Sequence, residues 1–457
     1  MRSILHHKIC YKFLSTQGVE LYTRNRWMGN SNLWGHWRGV STPSFVYTAD
    51  QAALTQAAIP PTEFSPISPV RTARGEREHN FHIGNDRVTL VGSNYGAWRL
   101  RQDEGGPKLL TDSDIDNVQG HLFGGGLGYL LSARGELLCT TAYTGGSPAP
   151  EREFGTGFGR TGCAGQGGLS LEHTVAVMPG SDPIVLIEVT IHNTGTAAHE
   201  LVFREAWGTG MVHLLNGHGW GGWSAWSNMS SMLDRREFVR THYTSRFRNV
   251  SLGAARGAEQ ARAFHGLSMS ERAFFEGAYE GRLPLPPGAS LWDETPPSIF
   301  LVALEPTLHP VSSPTSAAAT FSNSARDFFG SGGITSPAAP NATWRGQVTE
   351  GDTALISATA LTLAPGTNSR LRFVFGYRLG DRDPALATLL ERATHAFGDG
   401  ERLAAVAASA WAPLLVRASV EGAPWVAREL AWHVRPERRD LLLIAAGCAV
   451  DCRWLHC

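Results

Sequence analysis

Short apolar segments separated by turn residues dominate the chain between residues 60 and 380. The clearest of them is Pro183–His192, which is rich in β-branched residues and ends at the turn-forming sequence Asn193-Thr-Gly-Thr. Such segments, with turn signals about every 8–12 residues, are typical of antiparallel β-sandwiches, whereas βαβ folds alternate their strands with long helices. We therefore predict that residues 60–380 form one large, mainly β sandwich domain.

Several pairs of these segments are joined by short turns that contain Gly, Asn or Thr. Turns of this kind reverse the chain within about two to five residues, so they favour antiparallel pairing of the segments that they join. The Ser-, Ala- and Pro-rich stretch Ser312–Thr343 predicts a long loop with one short element at Ala325–Phe329. We predict three hairpins, which pair Leu127–Ser132 with Glu136–Thr141, Pro183–His192 with His199–Trp207, and Ala354–Leu363 with Arg370–Tyr377.

The apolar periodicity changes after the last predicted strand, where leucines recur at helical spacing. Asp383 precedes a proline, and an aspartate N-cap with proline at the first helical position is a common start of a helix. We predict helices over Asp383–Phe397 and Glu401–Val416, the second being most regular up to Trp411. Residues 381–418 are therefore predicted to be a helical linker.

The segment Pro424–His433 has the pattern of the first helix of a further domain. Only 24 residues follow it, which are too few to bury a hydrophobic core. We therefore expect residues 419–457 to be the truncated start of a helical domain, and we hypothesise that the reading frame goes wrong near Val434. No clear pattern defines residues 1–59, which we treat as a separate N-terminal segment.

The charge balance argues against several classes of partner. Lys and Arg number 40 against 41 Asp and Glu, a formal net charge of -1, so no polybasic surface for nucleic acid or anionic lipid follows. No apolar run reaches the length of a membrane-spanning helix, about 20 residues. The first residues also lack the continuous apolar core of a signal peptide. We therefore expect a cytoplasmic protein without a nucleic-acid or membrane partner.

The six cysteines are scattered and include no Cys-x-x-Cys pair, so the sequence predicts no zinc site. Because thiols stay reduced in the cytoplasm, we expect no structural disulfide. His213 and His218 are close in sequence, but no third ligand is evident beside them. We therefore predict no metal site.

Two short motifs match known binding patterns only in part. Gly157-Phe-Gly-Arg-Thr-Gly162 fits the pattern GxGxxG, but a dinucleotide site needs a helix directly after it, and the glycine-rich continuation predicts a loop. Asp112-Ser-Asp-Ile-Asp116 resembles the start of a calcium loop but lacks the later glycine and carboxylate, which favours a solvated acidic turn. We therefore predict no cofactor and no catalytic residues from motifs.

The segment His213–Trp226 is the strongest candidate for a binding surface. Aromatic side chains stack on the apolar faces of sugar rings, and neighbouring His or Asn side chains can bond the hydroxyl groups. The alternative is a glycine-rich turn whose tryptophans only cap the sandwich. The candidate substrate-binding residues are His218, Trp220, Trp223 and Trp226.

Five stretches carry a family resemblance: Val91–Trp98, Gly128–Leu131, Ile187–Gly195, Leu371–Tyr377 and Ala427–His433. They resemble the cellobiose phosphorylase-like glycoside phosphorylases and their hydrolase relatives, once grouped as a glycosyltransferase family. The resemblance covers roughly residues 80–433. It implies an N-terminal β-super-sandwich like that of the mutarotases, a helical linker and then an (α/α)6 barrel, truncated here at its start.

In that family, phosphate attacks the anomeric carbon of a β-linked glucoside while a carboxylic acid protonates the leaving oxygen, and both groups are bound in the barrel. The resemblance therefore assigns no catalytic residue to this chain and implies a portion that is inactive alone. It also implies an oligosaccharide or glucoside ligand, a homodimer as one assembly, and no cofactor except inorganic phosphate as co-substrate if the intact enzyme is a phosphorylase.

Two alternatives to a portion of a glycoside phosphorylase or hydrolase stay open. One is a stand-alone carbohydrate-binding module, in which the tryptophans between Trp220 and Trp226 would carry the affinity. The other is a mutarotase-like sugar epimerase, in which a histidine and a carboxylate exchange protons at the anomeric centre. The sequence alone does not choose the sugar or the linkage.

Overall fold

Two antiparallel β-sheets face each other across a shared core in the computed structural model of this chain. The mainly β fold class is thereby confirmed.

The predictions for residues 113–116 and 419–457 concern residues outside the described part of the chain. Within that part, no helix is long and apolar enough to cross a membrane. The structure describes residues 45–47, 80–93, 96–102, 108–112, 124–142, 151–155, 157–213, 242–270, 295–304, 319–334, 336–338, 344–346, 348, 352–398 and 400–412.

The first sheet, sheet A, has nine strands among the described residues. Its central strands are apolar on both faces, because one face meets the other sheet and the opposite face meets helices. This double burial explains the nearly continuous apolar run in Pro183–His192. From one edge to the other, the strands are β1 (Phe45–Tyr47), β8 (Glu151–Gly155), β9 (Phe158–Ala164), β10 (Leu169–Ala176), β11 (Ile184–Asn193), β19 (Asn368–Arg378), β16 (Ser298–Ala303), β15 (Ala255–Phe264) and β14 (Tyr243–Leu252).

The second sheet, sheet B, has ten strands within the described ranges. Seven of them follow one path, in the order β13 (Gly210–His213), β5 (Lys108–Asp112), β4 (Trp98–Gln102), β6 (Gly125–Ser132), β12 (His199–Gly208), β18 (Thr353–Leu363) and β17 (Thr320–Ser324). The other three branch from it, since β2 (Asn80–Gly84) pairs with β3 (Val88–Ser93), β3 pairs with β4, and β7 (Leu137–Thr140) pairs with β6. The predicted short element is helix α1 (Ala325–Phe329), and the strand before it lay within the predicted loop.

The chain crosses from one sheet to the other at two of the three predicted hairpins. The first hairpin is confirmed, because β6 and β7 pair with Leu130 opposite Cys139. The second is wrong, since β11 pairs with β10 and β19 in sheet A while β12 pairs with β6 and β18 in sheet B. The third is wrong for the same reason, because β18 and β19 lie in different sheets. In both cases the two strands belong to opposite sheets and do not pair through their backbones.

The two crossings lie side by side and share one asparagine. Asn193, the last residue of β11, donates from Nδ2 to the carbonyl oxygens of Ala197 (2.8 Å) and Leu363 (3.1 Å). Its backbone N–H donates to the Thr367 oxygen (2.9 Å), and its own carbonyl accepts from the Gly366 N–H (2.8 Å). Asn193, which suggests a hairpin turn in the sequence, thus also binds the segment that connects β18 to β19.

Aromatic side chains from both sheets join the two layers. Trp207 of β12 stacks on Phe375 of β19, with ring centroids 3.9 Å apart and 15° between the ring planes. On the same two strands, the rings of Phe203 and Phe373 also face each other, with ring centroids 5.9 Å apart. Full burial of a side chain of this kind stabilises a fold by about 1.5–3 kcal/mol, so these contacts are a main source of cohesion between the sheets.

Two helices cover the outer face of sheet A. Helix α2 spans Leu386–Ala396 and helix α3 spans Leu403–Trp411, so both predicted helices are present with shorter bounds. Their buried leucines and alanines pack against outward-facing residues of the sheet such as Leu186 and Val374. Apolar residues at helical spacing after the last strand thus reflect packing on the sandwich itself.

The predicted N-cap of the first helix is wrong. Asp383 is buried, and its carboxylate accepts a hydrogen bond from the Leu379 N–H (2.6 Å) and pairs with Arg87 (2.6 Å). Ala385 occupies the position before the helix, and its side chain makes no capping hydrogen bond. Asp383 therefore ties the end of β19 to the turn before β3 instead of starting the helix.

Helix α3 is anchored to sheet A at both ends. Oε1 of the buried Glu188 on β11 accepts a hydrogen bond from the Leu403 N–H (3.1 Å), and a carboxylate at a helix N-terminus is favourable because the unpaired N–H groups there are partly positive. At the other end, Trp411 Nε1 donates to the carbonyl oxygen of Val177 (2.7 Å). The indole lies over Gly157, whose φ is +77° and where any Cβ would overlap the ring.

The glycine-rich stretch that begins at Gly157 is not the predicted loop. Residues 158–164 form strand β9, which pairs with β8 and β10 in sheet A. The glycines therefore serve sheet packing, because Gly157 makes room for a tryptophan of helix α3.

A disulfide joins Cys139 of β7 to Cys163 of β9, with Cα atoms 6.1 Å apart. The expectation of no structural disulfide is therefore wrong. Twenty-four positions separate the two cysteines in sequence, and they belong to different sheets. Their proximity depends on how the sheets face each other, which their sequence spacing does not reveal.

Candidate functional site

The four predicted sugar-binding residues lie outside the described part of the chain. His218, Trp220, Trp223 and Trp226 belong to residues 214–241, which follow strand β13 and precede strand β14. Their role therefore stays a prediction. The described residues on either side nevertheless define where this segment leaves the sandwich and where it returns.

The strands that flank residues 214–241 belong to different sheets, since β13 lies in sheet B and β14 in sheet A. Arg262 of β15 donates through Nη2 to the carbonyl oxygen of Thr209, which directly precedes β13. Two positions further along β15, Phe264 pairs with Tyr243 at the start of β14, and their ring centroids are 5.2 Å apart. The chain thus leaves sheet B at the end of β13 and enters sheet A at the start of β14, and the start of β13 contacts β15 through Arg262.

The outer face of sheet B, which turns away from the core, carries three buried arginines. Trp98 and Leu100 of β4 belong to the core, so alternation along the strand places Arg99 and Arg101 on the outer face. Arg204 of β12 lies on this face by the same alternation. The exposed fractions of the three arginines are 3%, 2% and 6%, and each arginine has interaction partners. We call this surface the arginine face.

Arg204 and Tyr129 face each other across β12 and β6. The guanidinium carbon of Arg204 lies 5.8 Å from the ring centroid of Phe328 in α1, and burial lowers the pKa of Arg204 to about 10. Burial raises the pKa of Tyr129 well above its usual value, and the charge of Glu205 raises it further. The Tyr129 hydroxyl donates to the Ile334 carbonyl oxygen (2.8 Å). At neutral pH this region therefore holds a cation and a neutral phenol.

The arginine face continues to the edge of sheet B where the predicted sugar-binding segment begins. Arg101 of β4 is opposite Leu109 of β5, and Leu109 is opposite Val212 of β13. Residues in one such row lie on the same face of a sheet. Strand β13 ends one residue later, at His213, and residues 214–241 follow it in sequence.

Guanidinium groups have a specific chemical use at such a surface. An arginine offers five N–H donors in a fixed planar arrangement that matches carboxylate, phosphate and closely spaced hydroxyl oxygens. Sequence reasoning missed the arginine face. The available signal was the alternation of arginine with apolar residues in Trp98-Arg-Leu-Arg101, which predicts that two arginines share a face but not that they are buried.

A histidine and a glutamate pair in the core, between the two sheets. His173 Nε2 of β10 lies 2.8 Å from Glu205 Oε2 of β12, and Trp207 Nε1 donates to Glu205 Oε1 at 2.8 Å. The side chains of His173 and Glu205 are 1% and 0% exposed. Because the two sheets enclose this pair, it holds the layers together and does not reach the surface.

The described part of the chain contains no group of side chains that could bind a metal ion. None of the clusters of His, Cys, Asp and Glu there brings together three side chains that could hold an ion. His213 lies at the end of β13, while His218 lies outside the described residues.

No protein-family model and no curated protein sequence matches this chain. Solved structures do match it. One is a "Putative kojibiose phosphorylase from human microbiome", with a TM-score of 0.38 and 10% sequence identity. The match covers 90% of this chain and 42% of that protein, so the chain spans less than half of its length.

Two further solved structures are named for sugar epimerases. A "putative aldose 1-epimerase" from Klebsiella pneumoniae subsp. pneumoniae MGH 78578 has a TM-score of 0.33 and 9% identity, and the match covers 79% of this chain and 97% of the epimerase. A galactose mutarotase-like protein from Lactobacillus casei ATCC 334 has a TM-score of 0.28 and 10% identity, with coverage of 66% and 100%.

Proposed function

We propose that this chain is the β-sandwich portion of a carbohydrate-active enzyme and that it binds an oligosaccharide or glucoside beside the edge of sheet B at which the arginine face ends. The observation that carries the proposal is the row formed by Arg101, Leu109 and Val212. The row ends on β13, and the segment that contains Trp220, Trp223 and Trp226 follows β13 in sequence. Donors beside aromatic rings are what a sugar site needs, since hydroxyl groups require partners and ring faces require apolar surface.

The order of the parts gives independent support. The family resemblance implied a β-sandwich followed by helices, and the described chain has two packed sheets followed by α2 and α3. Helices α2 and α3 lie on the outer face of sheet A, while the arginine face lies on the opposite side of the sandwich, where helix α1 packs on part of it. We infer that the arginine face helps to wall the sugar site of an intact enzyme, while the reacting acid belongs to another domain.

The two alternatives differ in what they require of the described residues. A stand-alone binding module needs the tryptophan segment alone, and it remains the second candidate. An epimerase needs a histidine and a carboxylate that touch the sugar, whereas His173 and Glu205 are enclosed between the sheets. This enclosure gives the epimerase no support from the described histidine–carboxylate pair.

Sugar binding is tested by replacing one tryptophan of the predicted segment. We expect Trp223→Ala to weaken binding of the best-bound oligosaccharide on a glycan array by about five- to tenfold, since loss of one stacked ring costs about 1–1.5 kcal/mol. Isothermal titration calorimetry measures the change. Trp344→Ala is the matched control, because Trp344 packs on Phe247, with ring centroids 5.9 Å apart. Equal affinity of both variants and the unchanged chain would contradict a role for Trp223.

Catalysis is tested separately from binding. We expect this chain alone to release no glucose 1-phosphate from cellobiose and phosphate, because the family resemblance locates the acid and the phosphate ligands in a barrel domain. A coupled assay for glucose 1-phosphate measures the reaction. Turnover by the purified chain would overturn the proposal that it is inactive alone, while leaving sugar binding intact. Accelerated mutarotation of glucose would instead favour the epimerase.

A further inference from the structure

We propose that the disulfide between Cys139 and Cys163 is a permanent cross-link between the two sheets and that this chain folds in an oxidising compartment. The two cysteines lie on strands that are not backbone neighbours, because β7 pairs with β6 and β9 pairs with β8 and β10. Their Cα atoms are 6.1 Å apart, within the range of about 4.4–6.8 Å that a disulfide spans.

The position of the bond indicates a structural role. Cys139 is buried in the main core, and Cys163 is half-buried and packs against the same core. The bond therefore closes the gap between the sheets beside the apolar residues that separate them. A buried bond of this kind is poorly accessible to cellular thiols, so it is unlike the exposed disulfides that cycle during catalysis or signalling.

The cross-link matters most for a weakly held strand. Strand β7 has four residues, and β6 is its backbone partner within the described sheet. Between Cys139 and Cys163 the chain leaves sheet B and enters sheet A at β8 and β9. Joining the ends of this crossing restricts the unfolded chain, which is the main way in which a disulfide stabilises a protein.

Formation of the bond requires an oxidant. The two thiols lose two protons and two electrons, which reduce a protein or small-molecule disulfide to two thiols. In the first step one thiolate displaces a sulfur of that oxidant and forms a mixed disulfide. The second cysteine then displaces the oxidant's remaining thiolate and closes the bond.

The cellular environment decides whether this exchange runs to completion. Structural disulfides persist in secreted and periplasmic proteins and in the endoplasmic reticulum, whereas cytosolic thiols stay reduced in most organisms. The cross-link therefore favours an oxidising compartment over the cytoplasmic location expected from the sequence. This inference does not depend on the proposed sugar site.

The first test identifies the bond in cells that make the protein. Thiols are trapped with acid, free cysteines are alkylated, and the digested chain is mapped by mass spectrometry without reduction. We expect one cross-linked pair of peptides that contain Cys139 and Cys163, and no alkylation of either residue. Alkylation of both cysteines before reduction would overturn the proposal.

The second test measures the stabilising effect. We expect the chain that is reduced while unfolded and refolded in the presence of a reductant to have a thermal midpoint about 5 °C or more below that of the oxidised chain, given the loop that the bond closes. The double variant Cys139→Ala/Cys163→Ala should unfold at the lower midpoint and should not respond to the reductant. An unchanged midpoint of the reduced chain, or an equal response of the double variant, would contradict a structural cross-link. If the double variant fails to fold, the peptide map still decides the question.

Discussion

Replacing Glu205 with alanine is expected to lower the free energy of unfolding by about 3–5 kcal/mol. One carboxylate oxygen, Oε2, lies 2.8 Å from His173 Nε2, and the other, Oε1, accepts a hydrogen bond from Trp207 Nε1 at 2.8 Å. Removal of the carboxylate leaves both groups without this acceptor in an apolar core, and each buried unsatisfied polar group costs about 1–3 kcal/mol. The missing side-chain atoms also leave a cavity between the sheets.

Chemical denaturation measures this loss, and the same strand provides the control. Glu200 of β12 is exposed, so Glu200→Ala should change the free energy of unfolding by no more than about 0.5 kcal/mol. The double variant His173→Leu/Glu205→Gln should lose less than Glu205→Ala, because glutamine keeps an acceptor for Trp207 and leucine needs none. A loss below about 1 kcal/mol for Glu205→Ala would mean that water reaches the pair.

Replacing Trp411 with alanine is expected to detach helix α3 from sheet A, with a loss of about 3–5 kcal/mol. The indole packs over Gly157 and donates to the Val177 carbonyl oxygen at 2.7 Å. Alanine removes both the apolar contact and the hydrogen bond at the C-terminal end of the helix. Glu188 then holds the N-terminal end without support from the other end.

Hydrogen exchange is the appropriate measurement, because a helix can detach while the sandwich stays folded. We expect amide protection to fall throughout Leu403–Trp411 in the Trp411→Ala variant and to persist in β10 and β11. Trp411→Phe is the matched control, since it keeps a ring over Gly157 and loses the N–H donor. A loss of about 1 kcal/mol is expected for this control. Equal loss of protection in both variants would show that the hydrogen bond, and not the packing, anchors the helix.

The two wrong hairpins illustrate the limit of local patterns. Asn193-Thr-Gly-Thr reverses the chain, as its residue types indicate, but a reversal can return within one sheet or enter the opposite one. The choice depends on partners far along the chain, since β11 pairs with β19 and β12 pairs with β18. Pairing with distant strands satisfies the backbone of all four strands and buries their apolar faces against each other. A turn sequence contains no information about those partners.

The candidate site likewise has a part that the sequence predicted and a part that only the fold reveals. The sequence predicted a sugar-binding role for His218, Trp220, Trp223 and Trp226 from residue type alone, and that role remains a prediction. It did not predict the arginine face, because Arg99 and Arg204 are 105 positions apart in the chain. These arginines share a face only because the strands that carry them belong to the same sheet.

The amino-acid pattern by itself determined that this chain is mainly β, where most of its strands lie, and that two helices follow the last strand. These properties depend on residues close together in sequence, through alternation, helical spacing and turn chemistry. Only the tertiary structure decided which sheet each strand joins, the enclosed pair of His173 and Glu205, and the disulfide between Cys139 and Cys163. Those properties depend on contacts between distant segments, such as Glu188 with Leu403 across 215 positions, and the burial of the shared core selects them.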